Sequence, residues 1–116
     1  MSMYKDVKKF IEACEQERSQ KNIELYKKLI EEEFGEYRKA YSEDDDEAQL
    51  DGCMDMIWVI LGYCYMKGYD VKGAWDEVTR SNHMKIDTET GKVKKRSDGK
   101  VLKPDGWTPP NLKPFV

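Results

Sequence analysis

Leu29–Tyr41 reads LIEEEFGEYRKAY and Leu50–Met66 reads LDGCMDMIWVILGYCYM. Together they predict a helical fold with acids set into its apolar faces. Helical neighbours recur three and four residues apart. Glu33 therefore shares a stripe with Tyr26, Ile30 and Tyr37, and Glu36 with Leu29 and Ala40. Asp55 shares its face with Asp51, Trp58, Val59 and Gly62. An unpaired buried carboxylate costs several kcal/mol, so four of them imply a cation, a proton or an arginine at the same place. No lysine or arginine lies three or four residues from Glu33, Asp51 or Asp55. Facing helices that project carboxylates inward make a cage for a divalent ion. A donor set made only of oxygen suits magnesium or manganese, the metals of phosphate chemistry.

Outward from these two segments the chain reads as further helices. Tyr4, Val7, Ile11 and Cys14 repeat at helical spacing and predict a first helix from about Tyr4 to Glu17. A polar connection, Ser19–Asn22, leads to a second helix from about Ile23 to Tyr41. The acidic run Ser42–Glu47 reads as a solvated loop, one of whose acids caps a third helix from about Glu47 to Lys67. Gly68 has the place of a C-terminal glycine cap, and Asp70 opens a fourth helix over Val71–His83 with Ala74, Trp75 and Val78 on its inner face. Between Met56 and Met66 the third helix is apolar on every side, which predicts burial against a second subunit and hence a homodimer or homotetramer.

Beyond Met84 the character changes. Asp98-Gly99 between two short β-prone segments predicts a small hairpin, and TPPNLKPFV, with three of the four prolines, predicts an extended end. The expected architecture is all-α: a four-helix unit over residues 1–84, then a hairpin and proline-containing arm over residues 85–116, in an oligomeric bundle.

Composition narrows the function. At 116 residues there is room for one modest core. Residues 1–70 hold 17 acidic and 10 basic side chains, and residues 71–116 hold 6 and 10. No dominant basic face is present, which argues against nucleic acid as the partner. The eleven-residue apolar run Met56–Met66 is short of a membrane span, which needs about 20 residues. The first ten residues lack the apolar core of a signal peptide. Cys14, Cys53 and Cys64 form no CxxC pair and read as small packing groups in a reducing cytoplasm. Asn82 and Lys85 lie one turn apart, an amide donor and a point charge suited to phosphates, although polar residues also suit a helix end.

LIEEEFGEYRKA resembles the EExxE segment of the all-α nucleoside triphosphate pyrophosphohydrolases, the MazG-like superfamily, which includes dimeric dUTPases and phosphoribosyl-ATP pyrophosphohydrolases. DGCMDMIWVILGYCYMKGYD resembles the second metal helix of that family. DEVTRSNHMK followed by GKVLKPDGWTPP resembles the ending of its small stand-alone and phage-type members. The resemblance spans roughly residues 7–112. It implies a magnesium-dependent enzyme (manganese also suits) that cleaves a (d)NTP to the monophosphate and pyrophosphate. Glu32, Glu33 and Glu36 match EExxE, with Glu33 and Glu36 as metal ligands and Glu32 or Glu33 in catalysis. Asp55 matches the final aspartate of ExxD. The glutamate of that motif is replaced by Gly52, and Asp51 is expected to supply the missing oxygen. Asn82 and Lys85 are expected on the phosphates. Gln16 is expected near the base, and Trp58 either stacks on the base or fills the core. The implied substrates are a pyrimidine dNTP such as dUTP or dCTP, or a modified purine nucleotide. A non-catalytic helical protein that binds a metal–nucleotide complex or a partner is the alternative, as is an oligomer whose inward acids pair with another chain's arginines.

Overall fold

The computed structural model describes residues 2–116, and they contain four α-helices: α1 Ser2–Ala13, α2 Gln20–Ser42, α3 Asp46–Lys67 and α4 Val71–His83. The chain separates into two compact units, Met1–Val71 and Lys72–Val116. In the first, α2 and α3 are antiparallel neighbours, since Gly62 approaches Tyr26 while Gly52 approaches Tyr37. Their core is Val7 and Ile11 from α1, Tyr26 from α2, and Val59, Leu61 and Met66 from α3.

Three of the four helix ends follow one rule with three different residues. In each, an N–H bonds back to the carbonyl five residues earlier around a left-handed position. Gly68 (φ 73) provides that position after α3, where Tyr69 N donates to the Cys64 carbonyl at 3.1 Å. Asp44 (φ 54) does so after α2, and Glu15 (φ 56) after α1, where Gln16 N donates to the Ile11 carbonyl at 3.3 Å. Only the glycine announces itself in sequence. The first helix therefore stops at Ala13, short of the Glu17 expected from periodicity. The α2 start is also earlier than expected, because Ser19 caps it by accepting from Asn22 N at 3.2 Å. Asp45 caps α3 by accepting from Ala48 N at 3.0 Å, as an acid of that loop was expected to do. Arg18 ties the α1–α2 connection to the end of α3: its Nε donates to the Tyr65 carbonyl at 2.7 Å and its guanidinium lies 4.1 Å from the Tyr65 ring. A cation is favoured at this negative end of a helix.

The second unit is built on α4. Ser81 is its fully buried polar side chain, 2% exposed. Its Oγ donates to the Thr108 carbonyl at 2.9 Å, and Trp107 Nε1 donates to the Ser81 carbonyl at 2.7 Å. Glu77 accepts from Asn111 N at 2.6 Å and pairs with Arg80 at 2.6 Å. The expected hairpin is corrected: the described residues contain no strand, only isolated antiparallel bridges, Ile86 to Val93 and Lys95 to Val101. Two bridges are too few for a ladder. The extended end is also corrected, because Lys113–Phe115 closes into a 3₁₀ turn. Trp75, expected on the inner face of α4, is 57% exposed.

The Arg80 hydrogen bonds, followed by the Asn111 amide, hold the Glu77 carboxyl down at about 2. A depressed acid stabilises above its ordinary range and loses its effect as pH falls through its folded value. The latch is therefore expected to survive at pH 3 and to fail near pH 2. Glu77→Gln removes the charge that strengthens both bonds. Hydrogen exchange at the Asn111 amide should rise several-fold in that variant at neutral pH; unchanged exchange would show that Glu77 does not hold the arm.

Candidate functional site

α2 projects Glu33 and Glu36 from successive turns, and α3 projects Asp51 and Asp55 the same way. The antiparallel packing brings one oxygen each from Glu33, Glu36 and Asp55 within 4.8 Å of one another. Glu33 and Asp55 are half-buried; Glu36 is exposed. Asp51 stands outside this convergence and is exposed on the adjoining surface, yet near enough for its charge to act on Glu33. Glu32 is exposed on α2.

One oxygen of Glu33, Oε2, is shut off from solvent with no hydrogen-bond partner. Burial first, then a hydrogen bond with Glu36 and the charges of Glu36, Asp55 and Asp51, push Glu33 from its ordinary 4.5 up to about 7. Two carboxyl groups share a hydrogen bond only if one keeps its proton. A divalent cation removes that requirement by neutralising all of them together. The orphaned oxygen, the convergence and the all-carboxylate donor set thus fit a hard cation.

Gly52 explains how the helices come close enough. A Cβ there would lie 3.2 Å from both Cα and Cβ of Tyr37, the residue after Glu36. Glycine at 52 therefore lets α3 lie against the α2 backbone one residue from each carboxylate pair. At the place where a glutamate was expected, even a Cβ meets Tyr37 more tightly than an ordinary contact. Gly52→Ala gains about 1 kcal/mol of helix propensity but must move Tyr37 by a few tenths of an ångström. These effects oppose each other in stability, so the clearer outcome is in the site: affinity for Mn2+ should fall several-fold in a direct titration. Unchanged affinity would mean that helix spacing does not set the cage.

The remaining candidates separate. Gln16 lies past the end of α1 and its Oε1 accepts from the Tyr26 hydroxyl at 2.8 Å, leaving the amide nitrogen as its donor. Trp58 is 37% exposed and meets Phe10 edge-on at 5.6 Å, which corrects its placement in the core. Cys14 is exposed as well, whereas Cys53 and Cys64 are half-buried, and all three are free thiols. In the second unit Lys85 Nζ donates to Asn82 Oδ1 at 3.1 Å, so these two form a contiguous polar pair at the C-terminal end of α4. Sequence reasoning missed the roles of Gly52, Glu77, Arg80 and Ser81. Glycines at 52 and 62, the small residues of an otherwise bulky helix, were the available signal for helix contact.

Residues 4–82 match the family model described as phosphoribosyl-ATP pyrophosphohydrolase. No curated protein matches the chain. No helix among the described residues is long and apolar enough to cross a membrane.

Proposed function

The chain belongs to the phosphoribosyl-ATP pyrophosphohydrolase family, a MazG-like family of all-α pyrophosphohydrolases, and from that membership we propose that it hydrolyses a (d)NTP to the monophosphate and pyrophosphate with magnesium. Manganese meets the same ligand preference. The observation that carries this reading is the convergence of Glu33, Glu36 and Asp55 around a buried oxygen without a partner.

The reaction adds water to the α-phosphorus and breaks the α–β anhydride, whose electron pair leaves with pyrophosphate. When bound, the divalent metal supplies the positive field that neutralises the phosphate charge. Glu33, Glu36 and Asp55 would hold it, and Asp51, outside their convergence, would be a further oxygen donor. Glu32, exposed beside them, takes the proton of the attacking water, and Glu33 orients that water. Asn82 and Lys85, in the second unit, offer an amide donor and an ammonium suited to phosphate oxygens. Gln16 donates to the base, and Trp58 offers its exposed ring to it. By function, residues 1–84 carry catalysis and residues 85–116 form the arm.

Leu50, Met54, Ile57 and Ile60 leave α3 with a broad exposed apolar surface. Burial of apolar surface yields about 25 cal/mol per Å², so a second copy of the chain across this face gives the homodimer or homotetramer we propose. A native mass equal to that of one chain would refute it.

The activity is tested by offering a panel of NTPs and dNTPs with magnesium and assaying the product. Pyrophosphate is expected, and Asp55→Asn should reduce its release at least about 100-fold, in line with loss of transition-state charge stabilisation. Release of orthophosphate, or full turnover by Asp55→Asn, would overturn the assignment.

A further inference from the structure

We propose that the second unit carries a binding site for a condensed-phosphate anion, gripped by Lys85 and Lys103 beside the indole of Trp107. The choice of condensed phosphate rests on the pyrophosphohydrolase reading, whereas the geometry is independent of it. Lys85 Nζ lies 5.3 Å and Lys103 Nζ 4.7 Å from the centroid of the Trp107 ring. The indole itself is anchored, since Nε1 donates to the carbonyl of buried Ser81. The arm therefore does more than extend from α4. It returns a second lysine, 18 residues further along the chain, to the same indole and the same cleft as the first.

The charges are unbalanced at this place. Lys85, Lys94 and Lys103 line one cleft of about 310 Å³ together with Asp87 and Asp105. Asp87 Oδ1 already accepts from Glu89 N at 2.8 Å. Among the described residues, no carboxylate lies within ion-pair distance of any of the three lysines. A cation in water against the open side of a half-buried ring gains only about 0.5–1 kcal/mol. Repulsion between two ammonium groups several ångströms apart in water is of similar size. The ring thus offsets the repulsion without neutralising either charge, and both ammonium groups keep donors for an anion. A lysine binds phosphate as a point charge. Two lysines at one ring favour linked phosphates, each taking one cation, over a single phosphate. With the lysines against it, the ring is a support for the grip and not a stacking surface for a base.

The test is calorimetric titration of the full chain with pyrophosphate in EDTA, where the carboxylate cage holds no cation. One equivalent should bind. Lys103→Gln should weaken binding about tenfold or more, as loss of a charge-assisted contact does. Lys103→Arg should restore most of it, and Lys100→Gln, outside the cleft, should leave it unchanged. Asp55→Asn should bind as the wild type does. If that variant loses the anion, or if Lys103→Gln keeps it, or if orthophosphate binds as tightly as pyrophosphate, the site is overturned. Tighter binding of pyrophosphate than of a non-hydrolysable NTP marks the product as the ligand, and the reverse marks the substrate's phosphate tail. Failure of the product assay with this titration intact would remove the enzymatic reading alone.

Discussion

Glu33→Gln is expected to raise the melting temperature of the metal-free protein at pH 8 while abolishing pyrophosphate release. Glu33 holds its proton up to about 7 against an ordinary 4.5. The folded state therefore binds that proton more tightly than the unfolded state does. Metal-free stability falls as pH rises from about 4.5 to about 7, and stays low above it. Glutamine is neutral throughout and removes the penalty. Glu33 is only partly buried, so solvent screening reduces the gain to the order of 1 kcal/mol. For a chain of this size that is a rise of about 4–8 °C. Magnesium binds the ionised cluster, so its stabilisation of the wild type should be larger at pH 8 than at pH 6. In the variant both the magnesium shift and its pH dependence should largely disappear, and pyrophosphate release should fall at least about 100-fold. Thermal melts with and without magnesium at the two pH values, combined with the product assay, check all of this. A variant that melts below the wild type at pH 8 without metal would show that Glu33 is not an electrostatic burden in the fold.

Gly62→Ala is expected to cause a large loss of stability from a single methyl group. A Cβ at Gly62 would overlap Cε1 of Tyr26 and lie 2.6 Å from Cδ1. Tyr26 has little room to yield: it is 4% exposed, belongs to the central cluster, and its hydroxyl holds Gln16. Overpacking of this kind costs about 1–3 kcal/mol, and the better helix propensity of alanine returns at most about 1. A fall of about 5–10 °C in melting temperature follows. Adding Tyr26→Leu should recover part of the loss, because the leucine side chain leaves the space that the alanine methyl needs. A double-mutant cycle with no coupling between the two positions would place the strain elsewhere.

Local chemistry made much of the helical framework legible. Asp45 and Gly68 carry the capping chemistry their positions require, and α4 spans the predicted Val71–His83. Two of the three left-handed helix ends use Glu15 and Asp44, residues that give no such sign, and α1 was read too long for that reason. The carboxylates were legible because they interrupt apolar stripes. Their spacing was not, because it depends on two glycines whose meaning comes from Tyr26 and Tyr37 on another helix. The C-terminal residues were misread for the same reason. Asp98-Gly99 does turn the chain, but what fixes residues 107–111 is bonding to Glu77, Arg80 and Ser81, which periodicity within the segment does not reveal.

That latch also sets an order of assembly. Synthesis proceeds from the N-terminus, and domains fold as units as they emerge. The core of Met1–Val71 has every one of its clustered side chains in place by Val71. The buried hydroxyl of Ser81 instead waits for the carbonyl of Thr108, and Glu77 waits for the amide of Asn111. During translation the α4 segment thus passes through an interval with its inner polar groups unmatched. A chain cut between residues 84 and 107 would keep every core residue of the first unit, joined to a second that has no means of closing.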